Sequence, residues 1–202
     1  MNTEASLKPI LTNLESLFST FNTYFYQGSL TKPVITVLSQ GRRKTCAGWC
    51  TTYKAWETEK SAKDYYEINI CAECLARSFE DIAEVMLHEM AHLYNVQNGI
   101  QDCSRNGTYH NEKFKETAER HGLVVEKDST KGYAATSLNT IAQNLIRTMP
   151  QYQFDLCRIT KGKKVVKKQS TIRLSCPICG AIARVTTQNQ KLICGNCNTF
   201  MI

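Results

Sequence analysis

Five consecutive residues, His88-Glu89-Met90-Ala91-His92, are the group in this chain best suited to do chemistry. Histidines four residues apart project from one face of a helix, one turn apart. Their imidazole nitrogens can then close on one ion at about 2.0–2.1 Å each, the distance zinc takes. Glu89 follows the first histidine and is rotated about 100° around the helix axis. From there its carboxylate reaches a water polarised by the metal without itself being a ligand. Zinc brings the pKa of such a water to about 7, and a neighbouring carboxylate can take its proton. Hydrolysis of a peptide bond is the chemistry this set predicts.

A hydrolytic zinc site needs a third protein ligand and an open position. Outside the motif the chain has two further histidines, His110 and His121. His110 follows a loop long enough to fold back, and is expected to begin a short helix running to His121 and ended by Gly122. His121 reads as a cation beside that helix's C-terminal dipole. Glu112 competes with His110; on a helix the two lie about 200° apart, so only one can face the metal. Asn95 stands where a related three-histidine pattern would place a glycine.

A second constellation lies near the end of the chain. Cys176-Pro177-Ile178-Cys179 and Cys194-Gly195-Asn196-Cys197 form two CxxC turns with fourteen residues between them. Four thiolates in this spacing close a tetrahedral zinc site with no room for water, so the expected role is structural. A redox pair would instead show a single CxxC opening a helix. So small a module buries too little surface to fold alone, and zinc is expected to stabilise it.

These groups need elements to hold them. Leu7, Ile10, Leu11, Leu14, Leu17, Phe18, Phe21 and Phe25 form one apolar stripe, which predicts a first helix stopped at Gly28. Residues 33–38, 45–53 and 64–70 read as strands of a small, largely antiparallel sheet. Ser78 precedes Phe79-Glu80-Asp81, a cap with acids in the first turn, and opens the helix bearing the histidine pair. Apolar residues at 79, 82, 86, 90 and 93 hold its inner face, and Asn98-Gly99 ends it. Ser137 is expected to cap a last helix to about Met149. The sequence therefore predicts an α+β domain over 1–157, a basic junction over 158–171 and a four-cysteine ribbon over 172–202.

The net charge of +7 is unevenly placed: nine Lys and Arg and no Asp or Glu follow residue 157, leaving −2 to residues 1–157. A patch of this kind attracts polyanions by counterion release, and the expected partner is DNA, in single-stranded form. Phe200 and Tyr152 are candidates to stack on its bases. No signal peptide and no membrane-length apolar run is visible, which predicts a soluble cytoplasmic protein with reduced cysteines. Cys46, Cys50, Cys71 and Cys74 flank strands, but Cys71-Ala72-Glu73-Cys74 lacks the glycines of a knuckle; they read as small buried apolar groups rather than a further metal site. Trp49, Trp56, Tyr65 and Tyr66 read as sheet packing.

The whole pattern resembles the SprT-like family, which includes Spartan. The resemblance rests on Phe21-Asn22, Phe25, Gly28 and Leu30, then on His88-Glu89-Met90-Ala91-His92, then on Gly107-Thr108-Tyr109-His110-Asn111 with Phe114 behind it, and on the terminal four-cysteine module. It implies a zincin-like metallopeptidase domain followed by a zinc ribbon, and one catalytic zinc on His88, His92 and His110 with Glu89 as general base. A structural zinc on Cys176, Cys179, Cys194 and Cys197 completes the set. It also implies an endopeptidase acting on proteins trapped on DNA. Two other readings remain from the residues alone: a nucleic-acid-binding protein whose HExxH domain is a non-catalytic recognition scaffold, and a zinc enzyme acting on a non-peptide bond.

Overall fold

Helix α1 (Lys8–Tyr26) follows from its apolar stripe, with Ile10, Leu14, Leu17, Phe18 and Phe21 all buried. It stops where Gln27 and Gly28 turn left-handed, at φ 55° and 74°, and the Gly28 N–H donates back to the Asn22 carbonyl at 2.9 Å. The Asn22 side chain then holds the returning chain at both ends of its amide, donating to the Leu30 carbonyl (3.0 Å) and accepting from the Leu30 N–H (3.1 Å). In this computed structural model the residues described are 5–40, 46–58, 63–152, 154, 156–159, 171–186 and 190–202. Most of the lysine-rich junction expected over 158–171 lies outside them. The chain forms two compact units, residues 1–160 and 161–202. No helix among the described residues is long and apolar enough to cross a membrane.

After α1 come β1 (Val34–Thr36), β2 (Gly48–Cys50), β3 (Trp56–Thr58), β4 (Lys63–Tyr65) and β5 (Glu67–Ile70). The expected strands are present, but not as one sheet. β3 and β4 pair as a separate hairpin, while β1, β5 and β2 form a three-stranded sheet in that order. β5 is antiparallel to β2 and parallel to β1. A parallel pair needs a crossover connection, and here the excursion through β2, β3 and β4 supplies it. Glu67 ties the hairpin to the sheet, since the indole N–H groups of Trp49 and Trp56 donate to its two carboxylate oxygens at 3.1 and 2.8 Å.

Helix α2 (Phe79–Gln97) begins as expected, with the Ser78 hydroxyl accepting from the Asp81 N–H and Glu80 and Asp81 in its first turn. Its burial exceeds the single stripe read from the sequence: Ala83, Val85, Leu87, Glu89, Ala91 and Asn95 are buried as well. The helix packs against α1 and the three-stranded sheet, and six elements follow it. These are β6 (Cys103–Ser104), β7 (Tyr109–His110), α3 (Glu112–Arg120), β8 (Leu123–Asp128), β9 (Gly132–Leu138) and α4 (Thr140–Thr148). The order β6-β7-β9-β8 makes a four-stranded sheet.

Three sequence expectations need correction. His110 lies on β7 rather than in a helix, because Asn111 caps α3 by accepting the N–H groups of Lys113 and Phe114. The β8–β9 hairpin takes up residues the sequence left without an element, and Ser137 falls within β9; Asn139 caps α4 instead, accepting from the Ala142 N–H at 2.9 Å. His121 does end α3, but not as a surface cation. It is buried, stacked on Tyr26 with ring centroids 4.1 Å apart, and its Nδ1–H donates to the Thr117 carbonyl at 2.7 Å. Burial lowers its pKa, so the ring is neutral.

A buried neutral histidine stabilises the fold above its unfolded pKa of about 6.5, and that stability is lost as pH falls below it, because the unfolded chain takes up the proton first. Urea denaturation is expected to show wild type losing more stability than His121→Phe between about pH 7 and about pH 5. Equal losses would refute the assignment.

Candidate metal centre

His88 and His92 leave the same face of α2, and β7 brings His110 across to meet them. The three ligand-capable nitrogens lie within 4.8 Å of one another. His110 Nε2 is 3.3 Å from His88 Nε2 and 3.1 Å from His92 Nε2. All three rings rest on the side chain of Phe114, fully buried on α3, at centroid distances of 4.7, 4.5 and 4.7 Å for His88, His92 and His110. Glu112 is not part of this group; it is exposed and accepts from the Tyr133 hydroxyl at 3.4 Å.

The donor chemistry of the set fits a metal ion. His88 is pushed to low pKa by burial and then by its histidine neighbours, and His110 is pulled down to about 4 for the same two reasons. Neutral imidazoles offer lone pairs. His88 Nδ1–H donates to the Thr136 hydroxyl at 3.0 Å, and that hydroxyl donates to Glu84. His92 Nδ1–H donates to Asp102 at 2.7 Å. Both helical rings are thus left with the Nε2 lone pair, which faces the other histidines.

Glu89 is only 5% exposed and lies between α2 and β2. Burial raises its pKa most, with the charges of Cys46 and Glu84 adding to the effect and the Cys50 backbone N–H opposing it. Gly48 makes room for it: a Cβ there would lie 3.2 Å from Glu89 Cγ and 2.8 Å from the Asn69 carbonyl. β2 is the outer strand of its sheet among the described residues. Ala47, Trp49 and Thr51 bond inward to β5, so the backbone groups of Gly48 and Cys50 point outward, where the Cys50 N–H meets Glu89 and the Gly48 carbonyl accepts from the Cys46 thiol.

Several positioning groups had no signal in the sequence. Thr136 comes from the hairpin that was not expected. Gly132, at φ +70°, sits where a Cβ would lie 2.1 Å from the His110 carbonyl, so only glycine lets β9 approach β7 this closely. Asp102 and Cys103 form with His92 a second group within metal-binding distance. Cys46, Cys50, Cys71 and Cys74 form no such group; Cys71 and Cys74 are buried, as expected for small apolar side chains.

In the second unit Cys176, Cys179, Cys194 and Cys197 converge within the same limit of 4.8 Å, a set that can hold a tetrahedral ion. The backbone N–H groups of Cys179 and Ile178 bring the Cys176 thiol down to about 7. β10 (Ile172–Ser175) and β11 (Ile182–Val185) pair antiparallel, with Arg173 directly opposite Arg184 and Ser175 opposite Ile182. Ile202 exchanges both backbone bonds with Ser175, at 2.6 and 2.9 Å, and Ile193 bridges Phe200. Strand alternation therefore gathers Arg173, Ile182, Arg184, Ile193, Phe200 and Ile202 on one face. The three isoleucines and Phe200 are 55–74% exposed there. Tyr152, the other aromatic considered for stacking, is instead half-buried in the first unit against Phe79, its hydroxyl bonded to Ser16.

In comparison with known proteins, the profile of the SprT-like family matches residues 14–135, well over half of the chain. The match takes in all three histidines and Glu89 but not the cysteine module. No curated protein and no solved structure gives a significant match.

Gly132→Ala is expected to push β7 away and to lower stability by more than about 1 kcal/mol, since both the left-handed backbone and the contact oppose a Cβ. Urea denaturation of the metal-free protein measures it, and an unchanged midpoint would remove Gly132 from the set that places His110.

Proposed function

Because the chain belongs to the SprT-like family, a metallopeptidase-like family, we propose that it is a zincin-like, zinc-dependent endopeptidase acting on DNA-associated proteins, and that it cleaves proteins trapped on DNA. One observation carries the peptidase reading: two imidazole Nε2 atoms from α2 and one from β7 converge, and the residue that follows the first of these histidines is a buried carboxylate packed against β2, the outer strand of its sheet among the described residues. His88, His92 and His110 hold the catalytic zinc, and Cys176, Cys179, Cys194 and Cys197 hold a structural one. Zinc at the histidine site supplies Lewis acidity toward the scissile carbonyl and toward water.

The protein's own groups supply the rest. Glu89 takes the proton of the attacking water and returns it to the leaving amine, the two halves of general acid–base catalysis. Its side chain is walled by Gly48 and held by the Cys50 N–H, so water has limited access to it from β2. An extended substrate can add to the outer edge of β2 through the Gly48 N–H and the Cys50 carbonyl, which brings its carbonyls past Glu89.

The DNA reading draws on the ribbon. Like charges directly opposed across strands destabilise a sheet, so Arg173 and Arg184 favour an anion between or above them. Phe200 and the exposed isoleucines beside them offer an apolar surface on which unpaired bases, but not a closed duplex, can rest. No acidic residue lies in the last 45 residues to oppose a phosphate.

Two measurements test this. Cleavage of a DNA-bound protein by the zinc-loaded chain is expected to rise with single-stranded DNA and to fall by at least about 100-fold in Glu89→Gln. No cleavage by wild type under any DNA condition would leave the nucleic-acid-binding scaffold as the reading. Affinity for an oligo(dT) strand is expected to drop about tenfold in Phe200→Ala, the loss of one stacking contact. Unchanged affinity would move the DNA site off this face.

A further inference from the structure

Asn95, which takes the place of the glycine in the related three-histidine pattern, has no part in the chemistry above, yet it is completely buried. It stands in a chain of hydrogen bonds that ends on a metal-binding ring. His92 Nδ1–H donates to Asp102 Oδ2 at 2.7 Å. The same oxygen accepts from Asn95 Nδ2 at 2.9 Å. Asn95 Oδ1 in turn accepts from the Thr117 hydroxyl at 2.7 Å, and Thr117 is buried on α3. With its oxygen facing a donor and its nitrogen facing a carboxylate, the Asn95 amide has one orientation available.

We propose that Asp102 and Asn95 are positioning residues of the metal centre. Asp102 keeps the proton of His92 on Nδ1 and fixes the plane of the ring, so that Nε2 presents its lone pair to the ion. Asn95, tied to α3 through Thr117, keeps Asp102 in place. The inference rests on the zinc reading of the three-histidine site.

The alternative use of these side chains, as a second metal site made of His92, Asp102 and Cys103, meets an obstacle. A cation on Asp102 Oδ2 would face the amide N–H of Asn95, a donor aimed at the same oxygen. The hydrogen-bonded arrangement satisfies every group; the metal-bound one does not.

The three rings are not held alike. His92 has a carboxylate in direct contact, and His88 reaches one only through the Thr136 hydroxyl. His110 has no hydrogen-bond partner at its buried Nδ1 among the described residues. The orientation of His92 therefore contributes most to the preformed site, and the direct carboxylate is the group whose loss costs most. Partners of this kind typically change metal affinity by about 10–100-fold.

Zinc titration of the full chain against a chromophoric chelator tests the proposal, with the cysteine site as an internal reference. Asp102→Ala is expected to weaken the histidine site by about 10–100-fold and leave the cysteine site unchanged. Asp102→Asn, whose amide oxygen can still accept from Nδ1–H, is expected to restore most of the affinity. Thr117→Val, which touches no ligand, is expected to weaken binding by a smaller factor. Cobalt loading gives a second readout: the ligand-field bands of Asp102→Ala shift, and those of Asp102→Asn stay near wild type. Wild-type affinity in Asp102→Ala overturns the proposal, and so does an equal loss in Asp102→Ala and Asp102→Asn accompanied by lower stability of both metal-free proteins. A wild type that binds zinc at the cysteine site alone would instead refute the zinc reading itself.

Discussion

Helix α2 is buried around most of its circumference, and this constrains everything built on it. A polar side chain that leaves such a helix must find its partners inside the protein, because an unpaired buried polar group costs about 1–3 kcal/mol. His88, Glu89, His92 and Asn95 all face that requirement. Their partners come from four different segments: β2 for Glu89, β9 for His88, the loop after α2 for His92, and α3 for Asn95. The surrounding fold can be understood as the set of elements that satisfies one helix.

Satisfying those groups also prepares them for chemistry. Burial keeps His88 and His110 neutral, and in His88 and His92 a hydrogen-bond acceptor at Nδ1 selects the tautomer with a free Nε2. The same burial lifts the Glu89 pKa, so its carboxylate binds a proton more readily than an exposed one. Phe114 fills the space beneath the rings, and an apolar floor excludes water from their inner faces. Packing and reactivity here have one cause.

The second unit reaches order by different means. It has only three buried apolar residues among those described, and two of these are cysteines of the converging set. Its strands leave an apolar, arginine-bearing face open to solvent. The proposed DNA contact rests on that exposed apolar face and its two arginines.

The local parts of this description were legible in the residues themselves. The i, i+4 histidines, the Ser78 cap, the stripe of α1 and its stop, and the two CxxC turns are each fixed by spacing over a few positions, and the structure places them accordingly. The choice between His110 and Glu112 was not local: it depends on Asn111 capping α3 and so leaving His110 in a strand, which turns its ring toward α2. Thr136, Gly132 and Asp102 were silent because each acts on a residue 10 to 48 positions away or across a sheet, and the first two belong to a hairpin with weak alternation. Sequence by itself determined which side chains could bind metal, since ligand spacing is a property of one helix or one turn. Only the tertiary structure decided which third imidazole meets them and what holds the two helical rings, since those contacts exist only once distant segments have packed.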